Sequence, residues 1–66
     1  MRQLTKRQLA ERVTVTCYGE KESITREQAI DKYYDAMIYC EGSERDRYMA
    51  IYCQLIEGLA EVSDEC

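Results

Sequence analysis

Three carboxylates recur at helical spacing in the middle of the chain: Glu27, Asp31 and Asp35, at i, i+4 and i+8. Four cysteines (Cys17, Cys40, Cys53 and Cys66) and six tyrosines (Tyr18, Tyr33, Tyr34, Tyr39, Tyr48 and Tyr52) are the other side chains with chemistry to offer. Neighbouring carboxylates work as general acid and base when their surroundings drive their pKa values apart. A chain of 66 residues has little interior in which to do that. Histidine is absent, which removes the commonest general base and the serine and cysteine nucleophile sets built on it. No phosphate-cradling motif of the GxGxxG or Walker type occurs. The residues therefore point to a protein that acts by contact, with no catalytic residues and no cofactor.

The cysteines admit three uses. A disulfide framework suits small secreted proteins, but the start, "MRQLTKRQLAER", is polar and has no apolar signal-like stretch. Zinc is disfavoured by the missing histidines and by the absence of any CxxC pair. Cys17, Cys40 and Cys53 lie within regular apolar patterns, where a thiol behaves as a small hydrophobe. The expectation is free, mostly buried thiols, a free terminal Cys66, no metal and a cytoplasmic setting.

The net charge of −4 is unevenly spread. Residues 1–12 hold Arg2, Lys6, Arg7 and Arg12 against Glu11, whereas residues 13–66 hold five basic and twelve acidic residues. An acidic body argues against direct nucleic-acid binding, which needs lysine and arginine on phosphates. No apolar run approaches the roughly 20 residues of a membrane span.

Any working face must be positioned by short elements. The stretch 1–11 reads as a lead-in with one or two helical turns capped by Thr5. "RVTVTCY" alternates, placing Val13, Val15 and Cys17 on one side, and predicts a strand. Gly19 with Glu20 and Lys21 reads as the turn of a β-hairpin over residues 12–24, residues 22–24 forming the return strand. Thr25 and Gln28 form a capping-box pair, with Ile24 placed to staple the first turn. A helix follows over residues 26–41, its apolar residues Ala29, Ile30, Tyr33, Tyr34, Met37, Ile38 and Cys40 at 3.6-residue periodicity. Gly42 suits a left-handed C′ position. Ser43 with Asp46 reads as a second capping box, opening a helix over residues 44–57 with Glu44 and Asp46 at its positive end. That helix offers Tyr48, Ile51, Tyr52, Leu55 and Leu59 to one side, flanked by Met49, Cys53 and Ile56, until Gly58 stops it. Residues 59–66 read as a short strand or a tail. The expected fold is a single α+β domain, a β-hairpin packed on an antiparallel helical hairpin.

Two surface features then stand out. The row Glu27, Asp31, Asp35 is either a solvated face relieved by Lys32 and Arg26, or a docking surface for a basic groove, with Glu20 and Glu22 nearby. Six tyrosines exceed what so small a body can bury. Tyr34, Tyr48 and Tyr52 are expected in the core, and Tyr18, Tyr33 and Tyr39 in an exposed patch.

The pattern "VTVTCYG", "TREQAI" and "EGSERDRY" resembles small proteins of phages and integrative elements of Firmicutes, over residues 13 to about 58. That resemblance implies a mobile-element setting and assigns no catalytic residue. The expectation is a non-enzymatic accessory factor that binds a protein partner, in its most concrete form an anti-CRISPR-type inhibitor of a bacterial immune nuclease. A homo-oligomeric structural or regulatory protein is the alternative. A third reading is a small-nucleotide sponge, with the basic N-terminal segment at the phosphates and tyrosines stacked on bases.

Overall fold

Thr5 and Thr25 start their helices in the same way. In a computed structural model that describes residues 4–64, each threonine hydroxyl accepts the backbone N–H three residues on, and the glutamine there accepts the threonine N–H in return. The distances are 3.2 and 2.9 Å for Thr5–Gln8 and 3.3 and 3.4 Å for Thr25–Gln28. These boxes satisfy N–H groups that a helix start leaves open. They open α1, Lys6–Ala10, and α2, Arg26–Tyr39.

Between them runs a hairpin of β1, Arg12–Cys17, and β2, Glu20–Thr25. Its register pairs Cys17 with Glu20, Val15 with Glu22 and Val13 with Ile24. The turn is Tyr18–Gly19, one step earlier than the expected Gly19–Lys21, so Glu20 and Lys21 belong to the strand. Both turn residues have positive φ, 54° and 80°. Such a two-residue loop matches the right-handed twist of its strands, but it commonly carries asparagine or glycine first, and tyrosine gives no such signal.

The link between the long helices also departs from expectation. α2 ends at Tyr39 rather than at residue 41, with Cys40 extended. Gly42 has φ 70° and ψ −137°, outside the left-handed helical region, and serves as the N-cap of α3, Ser43–Glu57. Its carbonyl accepts the Asp46 N–H at 3.2 Å. Ser43 is thus the first helical residue, and the expected Ser43–Asp46 box does not form: Gly42 makes no side-chain cap. Glycine alone takes this backbone conformation readily. Gly58 does end α3, in the left-handed conformation, as its position suggested.

Glu61–Ser63 form β3, parallel to β1, giving a three-stranded sheet of order β2-β1-β3. The architecture is α+β, with a helical hairpin and the β-hairpin enclosing one core: Val13, Val15, Ala29, Tyr33, Ile51, Leu55 and Val62. Ile24 packs against that core, in keeping with its staple position. Leu59 is exposed, because the Gly58 turn carries it past the end of the apolar face.

Arg26 overturns a reading of the sequence. It does not relieve the acidic row: it is 1% exposed. Its Nη1 donates to the carbonyls of Leu55 at 2.8 Å and Leu59 at 2.9 Å, its Nη2 to Gly58 at 3.2 Å, and its Nε to Gln8 at 3.2 Å. Glu11 Oε2 stands 3.9 Å away. One guanidinium therefore ties α1 and α2 to the carbonyl end of α3, where the helix dipole favours positive charge.

The thiols of the described residues are free, but they are not mostly buried. Cys17 and Cys40 are half-buried, Cys53 is exposed, and Cys66 lies outside the described residues.

Candidate functional site

The proposed site residues fall into separate places. Glu27, Asp31 and Asp35 are all exposed on α2, and none enters an ion pair among the described residues. Lys32, expected to relieve them, instead binds Glu22 at 2.8 Å.

Helical spacing adds two residues to this row. Glu27, Asp31, Tyr34 and Ile38 stand at i, i+4, i+7 and i+11, one continuous face of α2. Tyr34 is 49% and Ile38 60% exposed, so the expectation of Tyr34 in the core is corrected. The Tyr34 ring lies 5.7 Å from that of half-buried Tyr52 on α3. Exposed Met49 and Cys53 share the Tyr52 side of α3 at i, i+3, i+4 spacing. The acidic row thus borders an apolar strip across the helical hairpin.

Tyr33, expected at the surface, is the core tyrosine: it is 3% exposed and tilts against half-buried Tyr48 at 5.9 Å. Ala29 and Tyr33, at i and i+4, define the face of α2 that meets the sheet, and Tyr34 is rotated away from it. Tyr39 is 86% exposed near the end of α2.

Glu20, Glu22 and Tyr18 meet elsewhere, around a cleft of about 400 Å³ between the β-hairpin and the two long helices, with Val15, Cys17, Tyr33 and Tyr48 also in its walls. Tyr18 holds its positive φ with help from distant groups. Its N–H donates to Asp64 Oδ2 at 3.1 Å, and the Arg47 guanidinium lies 4.5 Å from its ring centroid. Arg47 also donates to Asp64, whose side chain is 3% exposed. The Tyr18 backbone bond, then Arg47, hold the Asp64 carboxyl below its ordinary range.

Burial, followed by the nearby Cys17, Glu22 and Asp64, pushes the Tyr33 hydroxyl up to about 12. A hydrogen bond with Tyr18, then burial, raises that of Tyr48. Burial raises the Cys17 thiol above its ordinary value. At neutral pH these groups are therefore uncharged, and none is poised to exchange a proton. Among the described residues, no three cysteine, aspartate or glutamate side chains gather closely enough to hold a metal ion, and no helix is long and apolar enough to cross a membrane.

Sequence reasoning missed Tyr34 and Ile38, although the i+7 and i+11 continuation of the acidic row was there to find them. It had no signal for Arg47 and Asp64, which are far from Tyr18 along the chain. Compared with known proteins, the chain matches no family model, no curated protein and no solved structure.

Proposed function

We propose that the chain is a non-enzymatic protein-binding module whose outer α2–α3 face docks a basic partner protein. The observation that supports this is the row Glu27, Asp31 and Asp35, exposed and without ion pairs among the described residues, bordered by exposed Tyr34 and Ile38. Carboxylates around an apolar strip complement a basic groove with apolar walls, charge guiding encounter and aromatic side chains anchoring it. With the sequence resemblance, the concrete form of the proposal is a mobile-element inhibitor that occupies the nucleic-acid channel of a bacterial immune nuclease.

The test is a comparative capture from the source bacterium by the wild-type chain, by Asp31→Lys/Asp35→Lys and by Tyr34→Ser/Ile38→Ser. A basic nucleic-acid-binding protein should be retained by the wild type alone and released as salt rises from 0.1 to 1 M, where the screening length falls from about 10 to about 3 Å. Equal retention by the charge-reversed variant refutes the reading.

The exposed strip of Tyr34, Ile38, Met49 and Cys53 supports a second reading, self-association. Sedimentation at micromolar concentration separates the two: a dimer that Ile38→Ser dissociates favours it, and a monomer removes it.

A further inference from the structure

The cleft beside the hairpin turn has a composition that the outer face lacks. Tyr18, Tyr33 and Tyr48 are three of its walls, and Glu20 and Glu22 stand on β2 beside them. The register sets Glu20 opposite Cys17 and Glu22 opposite Val15, so the two carboxylates lie on the helix-covered side of the sheet. Lys21 lies between them in the pleat, on the alternate side, and also lines the cleft.

The cleft already holds an ammonium group of this chain. Lys32 Nζ sits 2.8 Å from Glu22 Oε2 and 5.6 Å from the Tyr33 ring centroid. This is the pairing of carboxylate and aromatic face that binds organic cations. Lys32 is half exposed on a flexible stem, so it can be displaced. Of the positive charges here, Lys32 has Glu22, and Arg47, on the Tyr18 ring, has Asp64, while Lys21 has no ion pair among the described residues. Glu20 has no ion pair among the described residues. The lining thus holds two carboxylates, Glu20 and Glu22, and two ammonium groups, Lys21 and Lys32, and displacing Lys32 from Glu22 leaves both carboxylates to a bound cation.

We propose that this cleft is a binding site for an alkylammonium or guanidinium group, held by the tyrosine rings and by Glu20 and Glu22 in place of the Lys32 side chain. The site is distinct from the outer face: Tyr33 turns into the core, away from Glu27 and Asp31, and Lys32 reaches across to Glu22 on β2.

The test is an amide NMR titration of the full chain with N-acetyl-arginine methylamide and with tetramethylammonium. N-acetyl-citrulline methylamide, of the same shape without charge, is the control. Saturable shifts are expected at residues 17–22, 32, 33 and 48, with millimolar affinity. Glu20→Gln/Glu22→Gln should weaken binding about tenfold, and Lys32→Gln, which removes the resident competitor, should tighten it about threefold. All three positions are exposed, and unchanged amide spectra elsewhere verify that the variants fold. A capped Gly-Gly-Arg-Gly-Gly peptide distinguishes the sources of the cation: tenfold tighter binding assigns a partner's side chain, and equal binding assigns a free small cation. Absent shifts, equal shifts with citrulline, indifference to the glutamine substitutions, or weaker binding in Lys32→Gln would each overturn the proposal.

Discussion

Substituting Arg26 is the most direct test of how this fold is held. Its guanidinium donates four hydrogen bonds to backbone carbonyls, three of them at the end of α3. A hydrogen bond to a charged group contributes about 1.5–3 kcal/mol, but the four share one side chain and do not add. Truncating Arg26 removes these bonds together and leaves buried carbonyls unsatisfied at about 1–3 kcal/mol per group, so a loss of about 3–5 kcal/mol is expected. A chain of this length has roughly 3–10 kcal/mol in total, from about 0.05–0.15 kcal/mol per residue. Arg26→Ala should therefore remove a third or more of the stability, and at the lower end all of it. Arg26→Met keeps most of the aliphatic stem and loses the carbonyl bonds, so it should still cost about 2–4 kcal/mol. Arg26→Lys keeps the charge without the fork and should fall between Met and wild type.

The assay is urea unfolding followed by circular dichroism, with Arg45→Ala as an exposed control expected within about 0.5 kcal/mol of wild type. If Arg26→Ala and Arg26→Met both cost less than about 1 kcal/mol, the guanidinium is not what joins α1, α2 and α3.

Other substitutions probe the backbone and the titrating groups. Gly42→Ala should cost about 1–3 kcal/mol from backbone conformation alone, since an added Cβ there meets no atom; a shift in the urea midpoint measures it. Asp64 titrates below its ordinary range when folded, so its contribution is complete above the unfolded value near 3.8 and is lost as pH falls through the folded value. Asp64→Asn should flatten the acid limb of the stability profile, and an unchanged limb refutes the assignment. Tyr33 has the opposite sign: its pKa is raised from 10.0 to about 12, so folding favours the protonated hydroxyl and stability declines as pH rises from about 10 to 12. Tyr33→Phe should remove that part of the alkaline decline. Maleimide labelling read by peptide mass spectrometry should modify Cys53 well before Cys17, whose thiol is half-buried and raised; equal rates would contradict the burial.

The legible parts of the fold were those written in local pattern. Thr25 with Gln28, the alternation of Val13 and Val15, and the i, i+3, i+4 repeats state their consequences within a few residues, and β1, α2 and α3 form in those stretches, although α2 stops two residues short of 41 and β2 begins two residues before 22. The misplaced details depend on contacts distant in sequence. Tyr18 can take a positive φ because Asp64 and Arg47 meet it, and Arg26 is buried because the end of α3 arrives beside the start of α2. Gly42 was read as a stop for one helix when the same glycine serves as the start of the next. Tyr33 and Tyr34 are adjacent and chemically identical, and the sheet decides which is buried.

The state of the acidic row follows from where the body's cations go. Five lysines and arginines lie beyond residue 12: Lys21, Arg26, Lys32, Arg45 and Arg47. Arg26 is taken by the carbonyls of α3, Lys32 by Glu22 and Arg47 by Asp64. Each of these contacts is satisfied inside the molecule, and none of them neutralises Glu27, Asp31 or Asp35. Like charges at i, i+4 spacing oppose the helix by about 0.2–0.5 kcal/mol per pair, so the row is a small standing cost to α2. If the row served only to solvate α2, replacing Asp31 with lysine would relieve that cost and leave every interaction of the chain intact. If it docks a basic partner, the same substitution stabilises the free protein slightly and weakens the complex. Measuring unfolding and binding on that one variant separates the two roles: a gain in stability with undiminished binding would reduce the row to a solvated face.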